Sequence, residues 1–299
     1  MSDIKLFHIA KNKITELEGK SVSVEKSLQI LIENHLEDFL GIKFLVTEYS
    51  TGVKHGGRID TLGVDENNCP VIIEYKRATN ENVINQGLYY LDWLLDHKAE
   101  FQLLVMHKLD KKISESIEWE NARLICIAGD YTKYDSYAVQ QINRNIELIR
   151  YKKFEDLLLF ELVNAVTGQT LSAEKQKRKI KYATVAELFN KSSKEVKDLF
   201  EALKAFILSL GDDIQLKELK FYYAFKKIRN FVSVEIHPQN KTIVLYLAVD
   251  PSKIKLEKGF TRDVRNVGHW GTGNLEVTIK NFDDFEQAKL LITKSYELN

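Results

Sequence analysis

Two carboxylates and a lysine carry the chemistry that this sequence offers. Glu74 and Lys76 stand two positions apart in the apolar run "PVIIEYK", and residues two apart point to the same face of a strand. Asp60 precedes Glu74 by fourteen positions, in the run "RIDTLGVD". A hairpin with its turn at Asp65–Asn68 brings Asp60 level with Glu74. The spacing therefore predicts that two carboxylates and an ammonium group converge.

Such a constellation suits a metal-dependent reaction at phosphate. Two carboxylates a few ångströms apart repel each other unless a cation lies between them. Oxygen ligands that leave room for water and phosphate are typical of Mg²⁺ or Mn²⁺ sites. A neighbouring lysine can orient a water molecule or stabilise developing charge. We predict phosphodiester hydrolysis, with Asp60 and Glu74 as metal ligands and Lys76 assisting the attacking water. The alternative is a surface ion cluster on a hairpin.

Predicted helices on either side add candidate site residues. Gln86 and Tyr90 are four positions apart, so they share one helical face and could bind a phosphate or fix the lysine. Upstream, Glu25 opens the first long helix, from which it could reach the same metal through water. Glu33 and Glu37 compete with Glu25 for that role, and a glutamate in a first helical turn is also favoured by the helix dipole alone.

These residues carry a family resemblance. The segments "GGRID", "IIEYK" and "NQGLYY" resemble the PD-(D/E)XK nuclease superfamily, in particular its RecB-like branch, with the pattern G-x-x-D, E-x-K and Q-x-x-x-Y. They are also similar to the nuclease domain of single-strand- and mismatch-cleaving endonucleases of that branch. The resemblance covers roughly residues 24–130, and Ile59 stands where many members have proline. It implies a restriction-endonuclease-like core, which is a mixed central sheet flanked by helices, with Asp60, Glu74 and Lys76 in the catalytic positions.

The elements that must position these residues follow from the hydrophobic pattern. The sequence predicts one helix over residues 23–41, a strand "KFLVTEY", the hairpin that holds Asp60 and Glu74, and a helix over residues 80–98. Short apolar runs predict further strands at "FQLLVMH", "ARLICIAG" and "IELIRY", and the segment that ends at Val166 is interpreted as helical. Together they predict an α/β domain over residues 1–166.

Composition changes after this domain. Residues 167–183 hold the basic run "KQKRKIK" and are interpreted as a linker, with tracking of a phosphate backbone as the alternative. Residues 184–299 read as helices, then antiparallel strands, then a helix, which is an α+β domain. The predicted class is therefore α/β plus α+β. This second domain resembles a domain of unknown function in bacterial proteins labelled predicted transport proteins, which implies no chemistry.

Charge distribution indicates a polyanionic partner. The chain is neutral overall, but residues 1–166 carry a net charge of −6 and the remainder +6. A basic domain favours nucleic acid, and an exposed tryptophan among arginines can stack on a base. A loop with one buried tryptophan is the alternative. The predicted nucleic-acid-binding residues are His55, Arg58, Arg77, Arg262, Arg265 and Trp270.

Other classes of protein find little support in the sequence. Two cysteines without a CxxC pair argue against a disulfide framework and favour a cytoplasmic setting. No signal peptide and no apolar stretch of membrane-spanning length is evident. The predicted partner is DNA, with RNA as the alternative, and the second domain would bind nucleic acid or mediate self-association as a homodimer. The competing hypothesis is a non-catalytic nucleic-acid- or protein-binding module on a nuclease fold.

Overall fold

The computed structural model describes residues 4–11, 13–19, 25–76, 83–166 and 183–299, without the side chains of Glu25 and Lys54. The chain divides into two compact units, Met1–Gln169 and Thr170–Asn299. Arg77 and residues 167–182 of the predicted linker lie outside the described residues. No helix within the described ranges is both long and apolar enough to cross a membrane.

The first unit is a mixed sheet with helices. Its six strands are ordered β3-β4-β5-β6-β7-β8, with β5, β6 and β7 parallel and the other pairs antiparallel. A separate hairpin, β1-β2, precedes them. The elements are β1 (Leu6–Ala10), β2 (Lys13–Leu17), α1 (Glu25–Asn34), α2 (Leu36–Leu40), β3 (Ile42–Ser50), α3 (Gly52–His55), β4 (Arg58–Asp65), β5 (Pro70–Lys76), α4 (Val83–Asp96), α5 (Lys98–Lys108), α6 (Lys111–Glu115), a 3₁₀ turn (Trp119–Asn121), β6 (Arg123–Ala128), α7 (Lys133–Gln140), β7 (Asn145–Phe154) and β8 (Leu157–Val166).

Burial on both faces explains the apolar central strands. Every residue of β6 is buried, as are the first six of β5, because parallel strands in a mixed sheet are covered on both sides. Helix α4 lies close against β6, since a Cβ at Gly87 would stand only 2.4 Å from Leu124. Leu28 and Ile32 of α1 are also buried, at the spacing of one helical stripe.

Two predicted elements are wrong, both because a short apolar run fits a helix and a strand equally well. The run "FQLLVMH" belongs to helix α5, in which Phe101 and Val105 are buried and lie four residues apart. The run that ends at Val166 is strand β8, which pairs with β7 through a tight turn in which Glu155 has φ 51°. The long first helix is divided at His35 into α1 and α2.

The second unit is an antiparallel sheet with helices. The sheet order is β13-β14-β12-β11-β10-β9, and every pair is antiparallel. Residues of the helices and of alternate sheet positions form the apolar core. The elements are α8 (Val185–Lys191), α9 (Lys194–Leu208), β9 (Gln215–Glu218), β10 (Tyr223–Lys226), β11 (Asn230–His237), β12 (Thr242–Leu247), a 3₁₀ turn (Pro251–Lys253), β13 (Thr261–Asp263), β14 (Leu275–Ile279) and α10 (Phe282–Glu297).

Candidate active site

The two predicted metal ligands lie where strands β4 and β5 separate. The paired residues of the two strands end at Thr61 and Ile73, although both strands run further. Beyond that pair, Glu74 Oε1 accepts a hydrogen bond from the backbone N–H of Asp60 at 3.2 Å. Asp60 Oδ2 in turn accepts from the backbone N–H of Tyr75 at 3.0 Å. Two carboxylates therefore bridge the diverging strands and are fixed side by side.

Glu74 is placed at depth in the sheet. Its side chain is fully buried, and it stands level with Cys126 on the parallel neighbour β6. Burial raises the pKa of the Cys126 thiol, and the charge of Glu74 raises it further. A buried carboxylate is costly unless hydrogen bonds or a cation offset the lost hydration. The negative field at this point therefore favours a cation.

Lys76 completes the predicted set. It is half-buried at the end of β5 and stands level with Ala128 of β6. Because side chains alternate along a strand, Lys76 is on the same face as Glu74. That face is the one covered by α4, since Gly87 of α4 packs on Leu124, two residues before Cys126.

Tyr75 lies between Glu74 and Lys76 in the strand and points to the opposite face. The residue is fully buried. Burial raises the pKa of its phenol; a hydrogen bond with Thr61 opposes this, and the charges of Glu33, Asp60 and Glu74 raise it further. The three carboxylates therefore lie close enough to act on one buried ring. The sequence missed this role of the middle residue of the E-x-K motif.

Helix α1 reaches the site from the opposite face of the sheet. Glu33 Oε1 accepts from Thr61 Oγ1 at 2.6 Å and from Gln29 Nε2 at 3.0 Å. Gln29 Nε2 also donates to the backbone carbonyl of Asp60 at 2.9 Å. The network therefore holds the Asp60 carbonyl and the Thr61 side chain of β4 in place. A polar Gln29 inside the apolar stripe of α1 was the signal that could have revealed it.

These contacts distinguish among the three glutamates that were candidates for the helix residue of the site. Of the two competitors whose side chains are described, Glu33 bonds to β4, whereas Glu37 is exposed on α2. Glu25 begins α1, and its side chain lies outside the described part of the structure. Glu33 is thus the described α1 acid that contacts the site, through Thr61 and Gln29.

Gln86 and Tyr90 brace the start of β4. The Tyr90 hydroxyl accepts from the backbone N–H of Arg58 at 3.1 Å and from Gln86 Nε2 at 3.3 Å. Gly57 packs against the same ring, where a Cβ would stand 2.5 Å from Cε1. Glycine is required at this close approach. The pair therefore holds the backbone two to three residues before Asp60.

Arg58 and His55 lie at the edge of the site. Arg58 forms an ion pair with Glu48 at 2.5 Å, and Lys26 binds the same carboxylate at 2.7 Å. The hydrogen bond from Lys26, together with the Arg58 charge, holds the pKa of Glu48 below its ordinary value. The backbone carbonyl of His55 accepts from the Tyr89 hydroxyl at 2.9 Å. Of these two predicted nucleic-acid-binding residues, Arg58 thus begins the Asp60 strand and His55 lies three residues before it.

The predicted residues of the second unit have local partners. Arg262 pairs with Glu276 at 2.5 Å, and Arg265 pairs with Asp263 at 2.6 Å. Trp270 packs on Phe221 at 4.3 Å between ring centroids and remains 48% exposed. The alternative of a buried tryptophan is therefore wrong.

The donor set decides which metal fits. Across the described ranges, no group of three or more His, Cys, Asp or Glu side chains could hold a metal ion. Mg²⁺ is commonly held by one or two carboxylates, with water and substrate phosphate completing its shell, rather than by an all-protein cage. Asp60 and Glu74 are such a two-carboxylate set, so the residues present fit Mg²⁺ or Mn²⁺ and do not fit a structural zinc site.

Comparisons with known proteins give one family and one full-length relative. Residues 185–299 match a family described as "Domain of unknown function (DUF5655)". A protein of Haemophilus influenzae described as "Uncharacterized protein" is 29% identical over 306 residues, which cover 98% of this chain and 99% of the relative. No solved structure gives a significant match.

Proposed function

We propose that the first unit is a restriction-endonuclease-like, metal-dependent nuclease that hydrolyses phosphodiester bonds in DNA. The observation that carries the proposal is the Asp60–Glu74 bridge at the open end of the β4–β5 hairpin, with Lys76 on the same face. The resemblance of the three sequence motifs to PD-(D/E)XK nucleases supports it. The alternative of a surface ion cluster is disfavoured, because Glu74 is fully buried.

The site residues have three proposed roles: metal ligands, a catalytic lysine and residues that position β4. Asp60 and Glu74 would hold Mg²⁺ or Mn²⁺, which when bound supplies Lewis-acid charge and a more acidic water. Lys76 holds the attacking water or stabilises the charge that develops on the phosphate oxygens. Gln86 and Tyr90 keep the start of β4 in place. The backbone N–H groups of Asp60 and Tyr75 orient the two carboxylates.

A cleavage assay tests this proposal. Labelled single-stranded, duplex and branched DNA, and one RNA, are incubated with the full chain in Mg²⁺, Mn²⁺ or EDTA. The wild type is compared with Glu74→Gln, which retains an acceptor oxygen for the Asp60 N–H, and with Glu37→Gln as a control on the exposed face of α2.

Each result has a consequence for the proposal. We expect metal-dependent cleavage by the wild type and by Glu37→Gln, and none by Glu74→Gln. A wild type that binds DNA in a salt-sensitive manner without cleaving any substrate would instead support a non-catalytic binding module on the same fold.

A further inference from the structure

The sheet of the second unit has a polar face opposite its helices. Ser233, Tyr246, Glu276 and Arg262 form one row across four strands by their pairing register. The open face of an antiparallel sheet is ordinarily solvated. Here its polar side chains are largely buried instead: Ser233 is fully buried, Tyr246 is 5% exposed and Glu235 is 8% exposed.

A loop folds over part of this face and forms a wall. The loop comprises residues 264–274, between β13 and β14. Its backbone donates from Trp270 to Glu235 Oε1 at 3.1 Å and from Thr272 to Ser233 Oγ at 3.0 Å. The His269 ring stacks on Tyr246, with 4.1 Å between centroids. These bonds fix the loop and leave the rest of the face open beside it.

The open part is a trough of about 570 Å³, which is within the usual size of small-molecule sites, about 300–1,000 Å³. Its floor and rim combine hydroxyls, cations, two carboxylates and one apolar side chain. The lining residues are Glu235, His237, Asn240, Thr242, Val244, Tyr246, Arg262, Glu276, Thr278 and Lys280.

The Tyr246 hydroxyl is a donor available to a ligand. Burial raises the pKa of its phenol, and the nearby Glu235 and Glu276 raise it further, so the group stays protonated at physiological pH. Among the described residues, no group forms a hydrogen bond with this hydroxyl, although the side chain lines the trough. The hydroxyl can therefore donate a hydrogen bond to an acceptor oxygen of a ligand in the trough.

The two cations and two carboxylates of the trough balance in charge, and its N–H donors favour a ligand with acceptor oxygens. Glu235 accepts from the Trp270 N–H and from His237 Nε2, the latter at 3.1 Å. Glu276 accepts from Arg262. Both carboxylates are therefore engaged within the protein. Arg262 has five N–H donors and Lys280 has three, so donors from these two side chains and from Tyr246 remain for a ligand with several acceptor oxygens.

We propose that this trough binds a phosphate-bearing small molecule, whose phosphate contacts Arg262, Lys280 and the Tyr246 hydroxyl. Its organic part lies along Val244 and Thr278. The shared chemistry is a phosphate monoester, which a nucleotide, a sugar phosphate or the phosphorylated end of a nucleic-acid strand would supply. This inference is independent of nuclease activity in the first unit.

Calorimetric titration of the full chain tests the inference. The probes are inorganic phosphate, AMP, ribose 5-phosphate and a 5′-phosphorylated trinucleotide, each organic probe paired with its unphosphorylated counterpart. We expect saturable binding of at least one phosphorylated probe and no binding of its counterpart. The pattern among probes identifies the source of the phosphate.

Two variants assign the binding to the trough. Tyr246→Phe removes only the hydroxyl, so it should leave the midpoint of thermal unfolding unchanged or raised while weakening binding about tenfold. Arg262→Gln should weaken it by more than about tenfold, because it removes a charge-assisted contact. Lys289→Gln, whose ammonium group pairs with Glu286 on α10, is the control and should bind normally.

Three results would overturn the inference. They are absence of binding by every phosphorylated probe, equal binding of a probe and its unphosphorylated counterpart, and unchanged affinity in both Tyr246→Phe and Arg262→Gln.

Discussion

Two pairs of acids near the two ends of the β4–β5 hairpin are held in different ways. At its turn end, Asp65 lies with Glu147 around Arg123, whose guanidinium bonds to both at 2.6–2.9 Å and whose side chain is almost fully buried. At its open end, Asp60 and Glu74 accept hydrogen bonds from backbone N–H groups. In the first set, the Arg123 guanidinium lies between the two carboxylates, as expected of a structural ion cluster. In the second, backbone dipoles orient the two carboxylates.

The partner of a carboxylate separates a structural acid from one that is proposed to be catalytic in the same sheet. A backbone N–H carries only a partial charge, so a carboxylate that it orients can still bind a cation. A guanidinium between two carboxylates satisfies their oxygens and excludes a metal. The comparison therefore predicts that the turn-end cluster governs stability and the open-end pair governs activity.

The largest effect on stability is expected at Arg123. Arg123→Met leaves two buried carboxylates without their cation and should lower the free energy of unfolding by about 3–5 kcal/mol. Urea unfolding measures it, with the exposed Arg144→Met as control. Adding Asp65→Asn and Glu147→Gln to Arg123→Met should restore part of the loss. A loss below about 1 kcal/mol in Arg123→Met would mean that the cluster is not the structural counterpart of the open-end pair.

Glu74→Gln should give the opposite pattern. Removing a buried charge while keeping the shape should leave the free energy of unfolding unchanged or raised. Cleavage should fall by about 10²–10³-fold or more, because one of two metal-holding carboxylates is lost. Urea unfolding and cleavage rates on the same preparation measure both. A strongly destabilised variant with near-normal cleavage would reverse the assignment of the two acid sets.

Tyr90→Phe should have a smaller effect on both properties. It removes the hydroxyl that binds the Arg58 N–H, so we expect a loss of about 1 kcal/mol in stability and a several-fold fall in cleavage through displacement of the Asp60 strand. Tyr89→Phe is the matched control, because its hydroxyl binds the His55 carbonyl. If Tyr90→Phe abolished cleavage at unchanged stability, Tyr90 would contact substrate rather than position β4.

The smallest effect is expected at Glu48. Its pKa is lowered from the ordinary 4.5, chiefly by the hydrogen bond from Lys26, so its contribution to stability is present above that value and is lost as the pH falls through the lowered pKa. Glu48→Gln should cost about 0.5 kcal/mol at pH 7, since both cationic partners of Glu48 are exposed. Urea unfolding should show this gap closing below about pH 4.5. If the difference in free energy of unfolding between the wild type and Glu48→Gln persisted at low pH, packing would explain the effect instead of charge.

The sequence predicted the acid pair because two strong local rules coincide there. Alternation along a strand sets Glu74 and Lys76 on one face, and a short turn sets the register of Asp60. It failed at α5 and β8, where a short apolar run satisfies both periods. Long-range pairing determines which structure such a run adopts. The run at residues 157–166 forms strand β8 because it pairs with β7.

The hydrogen bonds that support the Asp60 strand could not be predicted from the sequence, for a different reason. Glu25, Glu33 and Glu37 differ little as helix residues, and the choice depends on where α1 meets the sheet and on its break at His35. The contacts of Gln29 with Asp60 and of Tyr90 with Arg58 join residues 31 and 32 positions apart. Only the packing of helices on the sheet brings them together.

Metal binding and DNA cleavage, measured on the same samples, test whether Asp60 and Glu74 form a catalytic metal site. Mn²⁺ binding is followed by electron paramagnetic resonance, and cleavage of labelled DNA is followed alongside it, for the wild type, Glu74→Gln and Glu37→Gln. We expect Glu74→Gln to lose both metal binding and cleavage, and Glu37→Gln to keep both. Cleavage that persists in EDTA, or a Glu74→Gln protein that binds Mn²⁺ and cleaves like the wild type, would contradict this expectation.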